Sequence, residues 1–200
     1  ARGRPVRVLD TRAAEPPAAG VETVVGSVTE PADVARAMDG VTSVFHLAAI
    51  PELWARDPMV FDRVNRRGTE TVLRAAKARE SVDTFVYCSS EVVLIPRRLD
   101  AVPDRLDESI ELPPQALCGA YARSKRAGEL ATLNAADERL RTVVVIPTVP
   151  MGPEDYSRTP PTRMVADLVR GRMPAYPSVT FDAVDVRDAA LGHILAAEHG

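Results

Sequence analysis

Thr84-Phe85-Val86-Tyr87-Cys88-Ser89-Ser90 decides the fold. Its first five residues carry no charge and are mostly β-branched or aromatic; the run then stops on two hydroxyls. A short, uninterrupted apolar run reads as a strand covered on both faces, the habit of parallel sheets. Outward from it, Val6-Arg7-Val8-Leu9, Glu22 to Val25, Ser43-Val44-Phe45-His46 and Thr142 to Ile146 read as strands of the same kind. Between them, residues 31–38, 58–79, 121–136, 163–170 and 187–198 have helical spacing, with Pro31 suited to a first helical turn and Asp185 or Asp188 to a cap. Alternating strands and helices predict an α/β, Rossmann-like doubly wound parallel sheet with right-handed crossovers. Glu91 to Leu117, dense in Pro, Arg and Asp, is expected to be a long loop over the open end of the sheet.

The composition is compatible with one domain across residues 1–200. Of 200 residues 46% are hydrophobic and 26% charged, 25 basic against 28 acidic, net −3. That balance disfavours nucleic acid, whose binders concentrate basic charge on one surface. No run approaches the ~18 apolar residues of a membrane span, and Ala1-Arg2-Gly3-Arg4-Pro5 enters an apolar segment without a secretory h-region. A cytoplasmic location is expected. Cys88 and Cys118 fit neither a metal site nor a disulfide framework and are expected to be small buried hydrophobes; no metal is expected. Lysine occurs only at 77 and 125, the rest of the 25 basic residues being arginine.

That scarcity singles out Tyr121-Ala122-Arg123-Ser124-Lys125. Positions i and i+4 share a helix face about 5 to 6 Å apart at Cβ. A tyrosine hydroxyl, with a pKa near 10, needs a nearby cation to act as an acid or base at neutral pH. Lys125 is the candidate cation. The plain alternative is an amphipathic helix with Tyr121 packed and Lys125 solvated. Ser89 and Ser90 lie at the C-terminal end of a strand, where open α/β sheets bind ligands. The Gly-rich turn that usually follows the first strand of such a sheet and receives a pyrophosphate has no counterpart here. The first strand ends instead in Asp10, an acidic residue of the kind that binds an adenosine ribose at the end of a second strand. By that spacing of ~20 residues from glycines to acid, about 25 to 30 residues are expected upstream.

Ser, Tyr and Lys in this order resemble the catalytic set of the short-chain dehydrogenase/reductase superfamily. The chain is most similar to its extended members, the NAD-dependent epimerase/dehydratase family that includes dihydroflavonol reductases and 3β-hydroxysteroid dehydrogenases. The resemblance also rests on Val44-Phe45-His46-Leu47-Ala48-Ala49, Asn65 to Leu73, Phe85 to Ser90, Asp107-Glu108-Ser109, Pro147 to Pro153 and Val184 to Ala190. Arg170 to Tyr176, with Leu53-Trp54, is similar to the hopanoid-associated sugar epimerase branch. The resemblance implies a Rossmann-like domain truncated at both ends, with the start of a substrate-binding lobe around residues 150–182. It implies Tyr121 as proton donor and acceptor, Lys125 lowering its pKa and holding the nicotinamide ribose, and Ser90 on the substrate oxygen, with Ser89 as the neighbouring alternative. Asp10 would favour NAD, while Arg12 keeps NADP possible. His46, Leu47, Ala48, Ala49, Ser89 and Pro147 would lie along the cofactor, and Asn65 would tie a helix to a neighbouring loop close by.

Ser27 and Val28 stand where the family usually places an adenine-binding Asp after Gly26, and Ile146 stands where a polar residue is common. Glu91 and Trp54 are expected on the substrate side, with core packing as the alternative for Trp54 and Phe61; for His46, packing is the alternative to contact with the cofactor. The implied reaction is hydride transfer between nicotinamide and a hydroxyl or carbonyl carbon of a sugar nucleotide or similar small molecule. The alternatives are an NADPH-dependent ketone reductase of dihydroflavonol or steroid type and a non-catalytic NAD(P)-sensing protein. A homodimer through the helices starting near Pro58 and Tyr121 is expected.

Overall fold

The computed structural model describes residues 3–13, 19–98, 102, 105–175 and 182–200. Strands β1 (Val6–Asp10) and β2 (Val21–Val25) pair in parallel, Val6 opposite Val21. After α1 (Pro31–Ala37), which opens on Pro31, comes β3 (Ser43–His46). It lies beside β4 (Thr84–Cys88), which in turn pairs with β5 (Arg141–Val145). Both pairings are parallel, in the order β3-β4-β5. The expected doubly wound α/β class is therefore present, with β1-β2 and β3-β4-β5 as separate hydrogen-bonded blocks.

The helices lie close to their expected spans, with one difference of kind. Residues 58–79 are not one α-helix: a short α2 (Met59–Phe61) widens into a π-helical stretch, Asp62–Gly68, before α3 (Thr69–Lys77) resumes. Helical spacing alone cannot reveal such a widening, which is common at functional sites. Helix α4 (Gly119–Asn134) carries the Tyr121-to-Lys125 segment. Helix α5 (Pro160–Val169) lies between β6 (Val149–Met151) and its parallel partner β7 (Ala183–Asp185), a pair that the pattern of apolar runs did not predict. Helix α6 (Val186–His199) is capped by Asp185, whose carboxylate accepts from Arg187 N at 2.8 Å. At its other end the Arg141 guanidinium bonds the Ala197 and Gly200 carbonyls.

The long segment from Glu91 to Leu117 is pinned by two 3₁₀ turns, Glu91–Val93 and Pro114–Ala116, and by an antiparallel bridge between Pro96 and Leu117. Residues 99–101 and 103–104 of that segment, and Tyr176, lie outside the described residues.

The core gathers Val34, Met38, Val72, Leu73, Val82 and Phe85 between α1, α3 and β4. Four residues of β4, Thr84 to Tyr87, are buried, as a doubly covered strand requires. Elsewhere that expectation fails: Val8, Val25 and Phe45 are 41%, 55% and 40% exposed. The cysteines also depart from expectation, since Cys118 is exposed and Cys88 only partly buried.

Candidate active site

The strand register places the ends of β3, β4 and β5 side by side, His46 opposite Tyr87 and Cys88 opposite Val145. Ser89, Ser90 and Pro147 continue from these ends, and Glu91 N bonds Pro147 O at 3.1 Å. Helix α4 runs past the same ends and is held close by its small residues. A Cβ at Gly128 would stand 2.5 Å from the Tyr87 hydroxyl and 3.2 Å from Asn65 O.

Three residues expected to carry chemistry meet here. The Ser90 side chain lies near enough to Tyr121 to lower its pKa, and the Tyr121 ring stands edge-on to buried Phe61 at 6.1 Å. Lys125 is buried; its Nζ donates to Cys88 O at 2.6 Å and lies 4.6 Å from the centroid of the Tyr87 ring. The Tyr87 hydroxyl in turn donates to Lys125 O at 3.1 Å. Lys125 is thus no solvated end of an amphipathic helix.

The electrostatics differ from the simplest expectation. Burial raises the Tyr121 hydroxyl above its ordinary range and outweighs the lowering by Ser90; Lys125 is not among the groups acting on it. Burial brings the Lys125 ammonium down to about 8, against the opposing pull of Cys88 and Glu129. The Tyr121 hydroxyl is therefore protonated at neutral pH.

Ser89 and Ser90, alternatives in the sequence, make different contacts. Ser89 is buried and its Oγ donates to Glu129 Oε2 at 2.7 Å, so its hydroxyl turns away from Tyr121. Sequence reasoning missed Glu129, although it stands at i+4 from Lys125 and i+8 from Tyr121. Asn65 does tie helix to loop. Its side chain receives Ile50 N at 2.7 Å and donates to Ile50 O at 3.2 Å and Ser124 Oγ at 3.0 Å.

Other expected residues take less direct places. Asp10 is exposed at the end of β1, with Oδ1 accepting from Arg12 N at 2.9 Å. Oδ2 is left open among the described residues, and Arg12 is exposed beside it. Leu47 is exposed, Ala48 and Ala49 are half-buried, and His46 is packed between β4 and α3, as its alternative reading had it. The Val28 side chain lies in the core against Gly68, where a Cβ would approach it to 2.8 Å, which leaves only its backbone toward a cofactor. Ser27 N donates to the Asp33 carboxylate at 2.9 Å, so the turn after Gly26 does hold a carboxylate, supplied by α1. Trp54, 77% exposed, neither joins the core nor lines the pocket at Glu91, whereas Phe61 is core.

That pocket has a volume of about 360 Å³. Glu91, Asp107, Glu108 and Asp182 line it against one basic residue, Arg105, with Leu94, Leu106 and Ile146 as apolar wall. Burial, then Asp182, raises the Glu91 carboxyl above its usual range. A shallower groove of about 400 Å³ between α3 and α4, lined by Leu73, Lys77, Ala131 and Ala135, carries none of this chemistry. Among the described residues no group of acids, histidines and cysteines is placed to hold a metal. None of the helices is long and apolar enough to cross a membrane.

The chain is 36% identical over 180 residues to a Synechocystis protein named as a dihydroflavonol 4-reductase, covering 90% of this chain and 51% of that one. It is 31% identical over 203 residues to the 4-hydroxy-2-methyl-3-oxo-4-farnesyl-3,4-dihydroquinoline-1-oxide ketoreductase of Stigmatella aurantiaca, covering 100% and 59%. Among solved structures, gox2253 superposes with a TM-score of 0.84 at 35% identity, covering 98% of this chain and 60% of that one. The Thermus thermophilus UDP-glucose 4-epimerase, in complex with NAD, shares the fold with a TM-score of 0.82 at 24% identity, covering 98% and 67%. The chain thus spans little more than half the length of the curated relatives it matches. The strand-end cluster of Ser90, Tyr121 and Lys125 lies within a match of residues 1–200 to one family model, and the chain belongs to the NAD dependent epimerase/dehydratase family.

Proposed function

We propose that the protein transfers a hydride between a nicotinamide dinucleotide and the carbon of an uncharged ketone or alcohol, with Tyr121 as general acid/base. The observation that carries this reading is the meeting of Ser90, Tyr121 and buried Lys125 at the ends of β4 and α4. A sensor on the same fold would need no such cluster.

The residues fit the dinucleotide in part. The open Oδ2 of Asp10 suits a ribose hydroxyl, and its charge favours NAD over a 2′-phosphorylated form; Arg12 beside it leaves NADP as a weaker option. Lys125 spends one of its three N–H donors on Cys88 O, leaving two for the second ribose. Leu47, Ala48, Ala49 and Pro147 supply an apolar wall between the two. When bound, the nicotinamide supplies or accepts the hydride. The protein's own residues handle the proton: Ser90 orients the substrate oxygen, and the protonated Tyr121 hydroxyl gives its proton to that oxygen as the carbonyl is reduced. In the reverse direction Tyr121 takes the proton back.

The pocket at Glu91, the residue after Ser90, supports the uncharged carbonyl over the sugar nucleotide. Four carboxylates against one arginine would repel a pyrophosphate. The two relatives named above are a dihydroflavonol reductase and a ketoreductase, which accords with this choice. Subunit pairing through α3 and α4 belongs to the same proposal.

In the full-length protein, NADH- or NADPH-dependent reduction across a panel of uncharged ketones should proceed, and epimerisation of UDP-sugars should not. Tyr121→Phe should lower kcat by about 10²-fold or more while leaving cofactor binding intact. Near-parental turnover in that variant sinks the role of Tyr121, and cofactor binding without turnover on any substrate favours the sensor.

A further inference from the structure

Three consecutive residues at the end of β4 meet three residues spaced four apart on α4. Cys88 O receives Lys125 Nζ at 2.6 Å, Ser89 Oγ donates to Glu129 Oε2 at 2.7 Å, and Ser90 lies near enough to Tyr121 to lower its pKa. Positions 121, 125 and 129 form one row on the helix, and Glu129 is the member to which the proposed reaction assigns nothing.

A buried carboxylate is costly unless it is bonded and paired. Glu129 is 4% exposed, and its second oxygen is paired with the Arg126 guanidinium. Arg126 Nε also donates to Leu112 O at 3.2 Å, which ties the row to the loop over the strand ends. Anchoring Ser89 alone would need only a neutral acceptor. The charge has a second counterpart one turn away, the buried Lys125 ammonium. The titratable groups facing that ammonium are His46 on β3, Tyr87 and Cys88 on β4, and Glu129 on α4. Burial keeps His46, Tyr87 and Cys88 neutral at pH 7, which leaves Glu129, paired with Arg126, as the carboxyl group among them.

We propose that Glu129 is a positioning residue: through Ser89 it fixes the Ser89-Ser90 turn against Tyr121, and its carboxylate balances the buried Lys125 ammonium. This rests on the hydride-transfer reading above.

Glu129→Gln keeps the size and an acceptor for Ser89 while removing the charge. In the full-length protein, the alkaline limb of its kcat/KM profile should move down by ~0.5 pH unit or more, because Lys125 loses its proton at lower pH. An unmoved limb in a folded variant overturns the proposal. Where the orphaned Arg126 charge prevents folding, Ser89→Ala decides, since it leaves the ion pair intact. It should lower kcat about 10-fold through misplacement of Ser90, with the cofactor KM unchanged; parental kcat overturns the proposal. Tyr121→Phe, assayed in parallel, separates the two readings. Retained turnover there defeats the role of Tyr121 on which the reading rests, whereas loss there beside an unmoved Glu129→Gln profile defeats only the role of Glu129.

Discussion

His46 sits at a strand end beside the candidate site and is held out of its chemistry by two hydrogen bonds. Thr69 Oγ1 gives its only proton to Asn65 O at 2.6 Å and so accepts from His46 Nε2 at 2.9 Å, which fixes the proton on that nitrogen. Burial first, and then the Lys125 charge, push the imidazole from 6.5 down to about 3. The native state therefore stays neutral where the unfolded chain takes up a proton. Stability contributed by the neutral ring is full above pH 6.5 and is lost as pH falls from there toward 3. Between pH 7 and pH 5 that loss is about 2 kcal/mol. His46→Gln should remove it, so urea titrations at the two pH values should show a smaller stability difference in the variant; an unchanged difference would mean that the ring is charged in the native state. Residues such as Tyr121 and Lys125 were legible in the sequence because their relation is local, four positions apart on one helix. The turning of Ser89 toward Glu129, forty residues on, was not, because only the packing of α4 across β4 decides which of two adjacent hydroxyls faces the cleft.

At the scale of elements, the candidate site depends on how closely α4 approaches β4 and on the widened turn before α3. Asn65 sits buried in that π-helical stretch and bonds both polar groups of Ile50, in effect an extra rung that fastens the loop after β3. Replacing it with leucine of similar bulk orphans Ile50 N, Ile50 O and a bond to Ser124. Each orphaned buried group costs about 1–3 kcal/mol, so Asn65→Leu should destabilise by about 3 kcal/mol or more in denaturant melts, and a near-neutral change would mean that water replaces the rung. Gly128 has a different task, since its missing side chain lets the helix approach Tyr87 and the Asn65 carbonyl. Gly128→Ala inserts a methyl between two buried neighbours and should cost about 1–3 kcal/mol despite alanine's better helix propensity. A gain in melting temperature would show that the helix can shift outward without penalty. Helical spacing located residues 58–79 correctly but could not reveal the π turn, because its cause lies partly in Thr69 bonding back to Asn65 and in contacts with α4.

At the scale of the whole molecule, the described strands form a sheet in two blocks. Strand β1 pairs only with β2, and β3 only with β4, so each presents one unpaired edge among the described residues, while helices α1 and α3 pack against each other and link the blocks. The pair β6-β7 was illegible, because three-residue strands joined across some thirty positions leave no periodic signal. Exposure follows the break: Val8 on β1 and Phe45 on β3 are solvent-accessible, whereas β4, paired on both sides, is buried. In a parallel strand successive N–H groups point alternately to the two neighbours. Hydrogen exchange on the 200-residue chain should therefore show alternating slow and fast amides along β1 and β3, and uniform protection from Phe85 to Tyr87. The slow set should be the amides bonded to β2 and β4, since breaking those bonds requires opening the block, while the fast set needs no opening at all. Uniform slow exchange through Val44, Phe45 and His46 would contradict the open edge and would mean that another strand, from this chain or a second copy, is hydrogen-bonded along β3.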